Sequence, residues 1–240
     1  MSGRRHAARR AGHHGRLVAG ACVAVLVVVV SGAVAWASVG KDRADATRSR
    51  GADAQNSPMS SLLGSEREAV PVACDTLTAS IADKLAPGAD RSATVATQSD
   101  QHSECAWSLY GATRSRQLNV ELRAISASAG TPATDVATRT FNDEWSSDRD
   151  GKDLADSAKV RESRGVTGVG EQAYVVYTVD STDAIGEAVA NARLANVLIT
   201  VRYSGGDHLD TNGKPLPSGT ASDGALRAAR DIVSKLESHS

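Results

Sequence analysis

One run of apolar residues constrains this chain more than any other feature. From Leu17 to Val39 it carries no charged side chain, and its 23 residues suffice to cross a bilayer core of about 30 Å as a helix. The tail before it holds Arg4, Arg5, Arg9, Arg10 and Arg16 and no acid. By the positive-inside rule that end stays in the cytoplasm. The expected layout is a basic tail (residues 1–16), a transmembrane anchor (17–39), a stalk (40–69) and an exported domain (70–238). A cleaved signal peptide is the rival reading, because Ala35-Trp36-Ala37 is an A-x-A pattern at the end of the run. The protein is then secreted after cleavage near Ala37. Both readings export the remainder. A lipidated Cys22 fits poorly, since it stands near the start of the run rather than at its end. The arginine pairs also lack the closely following bulky apolar residues of a twin-arginine signal.

The formal charge of −1 hides an asymmetry. Beyond Val39 there are 22 basic and 28 acidic residues, a net of −6. An acidic exported part argues against nucleic acid as a partner, because phosphate binding needs clustered Lys and Arg. Lys41 to Glu68 is rich in Ser, Ala, Asp, Arg and Gly and buries too little apolar surface to offset its ordering entropy. As a flexible stalk it reaches roughly 30 Å on average.

Cys74 and Cys105 are the two cysteines of the exported domain. In an oxidising compartment an even pair reads as a disulfide; the alternative is two buried free thiols. Their spacing is far from the C-x-x-C of redox pairs.

Cys74, Leu77, Ile81 and Leu85 recur at helical spacing and Pro87-Gly88 ends that helix. Glu104–Tyr110 and Gln117–Ile125 alternate as strands of a hairpin, the second with Leu118, Val120 and Leu122 inward and Asn119, Glu121 and Arg123 outward. Thr131-Pro132 reads as an N-cap and first helical residue before Val136, Ala137, Phe141 and Trp145. Ser146–Ser157 reads as a polar loop, followed by a strand around Val160, a glycine turn, and an alternating strand over Gln172–Val179. Ala188–Arg193 and Val197–Tyr203 are two more strands, joined at Asn196. A loop over Ser204–Gly219 leads to a last helix, capped by Thr220 or Ser222, with Ala221, Ala225, Ala228, Ile232, Val233 and Leu236 as its apolar stripe. The expected fold is α+β: an antiparallel sheet of about five or six strands packed by three helices. Because Cys105 and Trp107 share a face, the disulfide should pin the first helix to the sheet beside that tryptophan.

Motifs that carry chemistry are few. Gly165, Gly168 and Gly170 lead into a strand, whereas a dinucleotide fingerprint opens a helix, so no cofactor is expected. Asp148, Asp150 and Asp153 resemble the middle of a calcium loop, but the twelfth position falls on Ser157 rather than a bidentate Glu. The histidines lack metal-ligand spacing, so no metal is expected. No nucleophile elbow, zinc-protease helix or P-loop lysine is present, and no catalytic residue is assigned. Asp207, His208 and Asp210 share a glycine-rich loop that suits contact with a ligand.

Four segments together resemble a family of actinobacterial envelope proteins, many of them lipoproteins, whose shared domain has no assigned function. They are Cys74-Asp-x-Leu77, Cys105-Ala-Trp107, Val166–Ala173 and Asn196–Tyr203. The resemblance implies an exported α+β domain with a helix-to-strand disulfide and no catalytic residues. This chain departs from the lipoprotein members in its anchor. The function expected is non-enzymatic binding of an envelope component or partner protein outside the cytoplasm. The alternatives are an unrecognised hydrolase-like enzyme and a structural subunit of an envelope complex.

Overall fold

The computed structural model describes residues 66–93, 99–111, 113–207 and 213–238, all within the unit Gln55–Ser240. The basic tail, the apolar run Leu17–Val39 and the stalk as far as residue 65 lie outside the described residues, as do His208 and Asp210. Among the described residues no helix is long and apolar enough to cross a membrane.

The α+β class holds, with more elements than expected. In chain order they are α1 (Ala73–Thr76), α2 (Ala79–Leu85), β1 (Asp90–Ala93), β2 (His102–Tyr110), β3 (Arg114–Ala124), α3 (Ala133–Asp150), β4 (Ala158–Val166), β5 (Gln172–Asp180), β6 (Ile185–Leu194), β7 (Val197–Asp207), β8 (Lys214–Pro215) and α4 (Ser218–Glu237). Eight strands rather than five or six form one antiparallel sheet in the order β1-β2-β3-β7-β6-β5-β4, with β8 on β7, and four helices rather than three pack on it. The two added strands had no apolar signal to read. Every residue of β1 is exposed, and β8 is a two-residue clip on the end of β7.

The first predicted helix is two. Leu77 and Thr78 are extended between α1 and α2. The break is held from across the chain: Asp231 on α4 accepts the Thr78 N–H at 2.8 Å and its hydroxyl at 3.0 Å. The disulfide forms between Cys74 and Cys105, with Cα atoms 5.0 Å apart, joining α1 to β2 within the core that holds Trp107.

β3 alternates as its sequence demands, with Leu118, Val120 and Leu122 fully buried and Asn119, Glu121 and Arg123 half-buried on the other face. β5 does not. Ala173 to Thr178 is buried without interruption, as is most of β6 and β7. Such strands lie between two covered faces. On one face α1, α2 and α4 roof the main core, where Ala221, Ala225, Ala228, Ile232, Val233 and Leu236 meet Val175, Ala190, Ile199 and Val201. On the other, α3 sets Ala137 and Phe141 on Tyr174, Val176 and Leu198.

Several helix and strand boundaries differ from expectation. Pro132, not Thr131, is the N-cap of α3, and Pro217 precedes the first residue of α4, earlier than either predicted cap. α3 also runs through Ser146–Asp150, where a polar loop was expected, and stops at Gly151 in the left-handed conformation (φ +65°). In its last turn Asp148 faces polar groups on the sheet, while Arg149 and Asp150 are exposed. β7 extends to Asp207, four residues beyond Tyr203, because glycines admit the pairing. A Cβ on Gly205 would stand 2.3 Å from the Ser115 carbonyl oxygen. The β4–β5 connection is the expected glycine turn, with positive φ at Gly168 and Gly170.

The chain enters this fold before Val70. Glu66 Oε1 accepts the Thr134 N–H of α3 at 2.7 Å. The Arg67 N–H donates to Asn196 Oδ1 at 2.8 Å, and Asn196 Nδ2 donates to the carbonyls of Arg67 and Ile125, each at 2.8 Å. Arg67 Nη2 donates to the Leu236 carbonyl of α4 at 2.7 Å, and the Val70 N–H to the Asp100 carbonyl at 2.7 Å.

Candidate functional site

The face that carries α3 is only half roofed. The helix covers parts of β4 to β7, and no helix among the described residues lies over the same face of β1 to β3. Pleating brings Glu104 of β2, Gln117, Asn119 and Glu121 of β3, Arg202 and Ser204 of β7, and Glu187 of β6 to that open half. They line a shallow cleft of about 140 Å³. A second cleft, about 150 Å³, lies between the end of α3 and the sheet, and shares Glu187 and Arg202 with the first.

Several of these charges are already paired. Asn119 Nδ2 donates to Glu104 Oε1. Arg123 Nη2 donates to Glu144 Oε1 of α3 at 2.7 Å, while its Nε lies 3.4 Å from Glu121 Oε1. His102 Nε2 sits 2.9 Å from Glu121 Oε1, off the line of a hydrogen bond. Arg202 Nη1 is 3.4 Å from Glu187 Oε1 and its side chain is 49 % exposed, so that pair is weak and the guanidinium is accessible.

Beneath α3 the last helical turn closes a buried polar cluster. Tyr174 donates its hydroxyl proton to Asp148 Oδ2 at 2.7 Å. Asn191 Nδ2 donates to that carboxylate at 3.1 Å and to the Tyr174 oxygen. Thr200 Oγ1 donates to Asn191 Oδ1. The Tyr174 ring stacks on Trp145 at 5.6 Å and meets Phe141 edge-on at 5.2 Å. Burial, then the hydrogen bond to Asp148 and its charge, push the Tyr174 hydroxyl far above the usual phenol range. Such a tyrosine stays neutral and orients α3.

Tyr174→Phe keeps the rings and removes the donor to Asp148. It should cost about 1–3 kcal/mol in urea unfolding at neutral pH. It should also flatten the alkaline limb. Below the ordinary phenol value of about 10 both states hold the proton and the contribution is complete. Above it the unfolded chain ionises while the native chain does not, so stability falls as pH rises. Burial shifts Tyr177 and Tyr203 in the same direction, so the variant's slope between pH 9 and 11 should be shallower but not zero. An unchanged slope would show that Tyr174 ionises freely.

The loop expected to hold a ligand is placed only at its first residue. Asp207 ends β7, and its Oδ1 lies 3.0 Å from Arg116 Nη2 and 3.9 Å from Arg114 Nε. Its carboxylate is thus committed to the sheet. The resemblance of Asp148–Asp153 to a calcium loop has a plain physical answer: Asp148 and Asp150 are helical, and Asp148 is held by Tyr174 and Asn191. Among the described residues no three His, Cys, Asp or Glu side chains are grouped to hold a metal ion.

The fold and this face define a disulfide-bonded α+β domain with one sheet face roofed over its central strands and the other half open. No family model matches the chain, and no curated protein matches it in sequence.

Proposed function

We propose that the chain is a single-pass membrane protein whose extracytoplasmic domain binds an envelope component or partner protein without catalysing a reaction. The observation that carries this reading is the open half of the sheet, where Gln117, Asn119, Glu187 and Arg202 present amide, carboxylate and guanidinium groups on a rigid floor. A backbone held by paired strands loses little freedom on binding, which favours recognition. The buried Cys74–Cys105 bond suits an oxidising compartment, and the apolar run Leu17–Val39 supplies the anchor. Kinship with the actinobacterial envelope family belongs to the same proposal and rests on the four short segments given above.

A photo-crosslinking residue placed at Asn119 in the full-length chain, in intact cells, should capture a defined envelope partner. The same residue at Asp223, exposed on α4, should not. Equal capture at both positions, or none at Asn119, would remove the open face from consideration. N-terminal sequencing of the mature protein checks the anchor: recovery of residues before Leu17 supports it, and a start at Ser38 makes the protein secreted.

A further inference from the structure

The segment Glu66–Val70 connects the two helical layers chiefly through polar bonds. α3 begins at Pro132, which has no side-chain group to cap it; Glu66 supplies the acceptor for the Thr134 N–H from 68 residues away. At an 18-residue helix, a carboxylate on the first turn also meets the positive end of the helix dipole. On the opposite face of the sheet, the guanidinium of Arg67 caps the Leu236 carbonyl in the last turn of α4. Between them Asn196, in the β6–β7 turn, grips the Arg67 backbone at both its N–H and its carbonyl. Apolar burial adds little. Glu66, Glu68, Ala69, Pro71 and Val72 are exposed, and only the half-buried Val70 packs on the main core.

Arg67 and Ala69 line both of the large clefts at this end of the molecule. One, about 750 Å³, also holds Glu66, Asp100, Gln101 and Ser126. The other, about 540 Å³ and more apolar, holds Val70, Pro71 and Leu236. The segment is their shared wall.

We propose that Glu66–Val70 is a releasable strap that couples the stalk to both helical layers. In place, it caps α3 and α4 together and divides the end of the sheet into two clefts. Lifted, it uncaps both helices at once and opens the clefts into one groove. Segments with few apolar contacts open at the low end of a protein's stability range, and this one is held by part-buried hydrogen bonds with Val70 as its one packed apolar side chain. The strap is joined directly to the stalk, so tension or a partner acting on the stalk reaches α3, which borders the open sheet face. In this the inference rests on that face being the binding surface, whereas the strap itself stands apart from any ligand.

Hydrogen exchange on the full-length protein in detergent tests it. Glu66→Ala and Arg67→Ala each remove one cap. If the segment lifts as a unit, either substitution should speed exchange about tenfold both at the start of α3 and at the end of α4. Amides in β3 and β7 should not change, and Glu66→Gln, which keeps an acceptor oxygen, should restore much of the protection. Effects confined to the helix whose own cap was removed, or no effect at either end, would overturn the strap. Faster exchange in β3 and β7 as well would make the segment part of the global fold and overturn it too. The exchange needs no partner, so a failure to crosslink at Asn119 leaves this result readable.

Discussion

Reducing the Cys74–Cys105 bond, or replacing both cysteines with serine, should lower the free energy of unfolding by roughly 3–4 kcal/mol. The bond spans 31 residues. In the chain-entropy account, a loop of that size confines the unfolded chain by about this amount. Its place in the fold gives the loss a direction. α1 is a single turn of four residues, too short to persist alone, and it is tied down by this bond and by a hydrogen bond from the Ala73 N–H to Ser103 Oγ at 2.8 Å. Urea denaturation of the full-length protein with and without reductant measures the effect. The reduced protein should have a lower midpoint, with α1 and α2 losing protection before β3, β6 and β7. An unchanged midpoint would mean that packing against Ala73 and Leu77 holds α1 without the bond.

Phe141→Ala should be as costly, about 3–5 kcal/mol, for a different reason. The layer under α3 is small: the helix contributes Ala137 and Phe141 to its buried apolar cluster, with Trp145 half-buried beside them. Phe141 is 2 % exposed and meets Tyr174 edge-on. Removing the ring leaves a cavity directly over Tyr174, and the Tyr174–Asp148–Asn191 cluster is then the main tie between helix and sheet. The loss should therefore be local before it is global. Exchange along α3 should rise, while α4 and the main core keep their protection. Calorimetry and exchange together check this. A fall in stability spread evenly over both faces would mean that the two layers are one cooperative unit.

Parts of this molecule were legible from local pattern. The period of two in β3 placed Asn119, Glu121 and Arg123 opposite Leu118, Val120 and Leu122, and so placed part of the candidate face. Glu187 and Arg202 carried no such signal. Their strands are apolar on both sides where helices cover them, so the run of residues says that they are buried but not where a charge will surface. The same holds for the end of α3. Asp148 breaks the apolar spacing because the sheet beneath it offers Tyr174 and Asn191, partners that come from β5 and β6.

The amino-acid sequence by itself determined the main strands and helices, the disulfide, and the glycine turn at Gly168 and Gly170. Each follows from spacing between near neighbours or from the chemistry of single residues. The tertiary structure decided on which side of the sheet α3 lies, that the first helix breaks at Leu77 and Thr78, and that β1 and β8 pair at all. It also decided that Glu66 and Arg67 belong to the domain. A helical stripe specifies which residues share a face and leaves open which layer that face will meet. An exposed strand or a capping carboxylate acquires its meaning from partners such as Asp231, Asn196 or Thr134, which only the folded chain brings within hydrogen-bond reach.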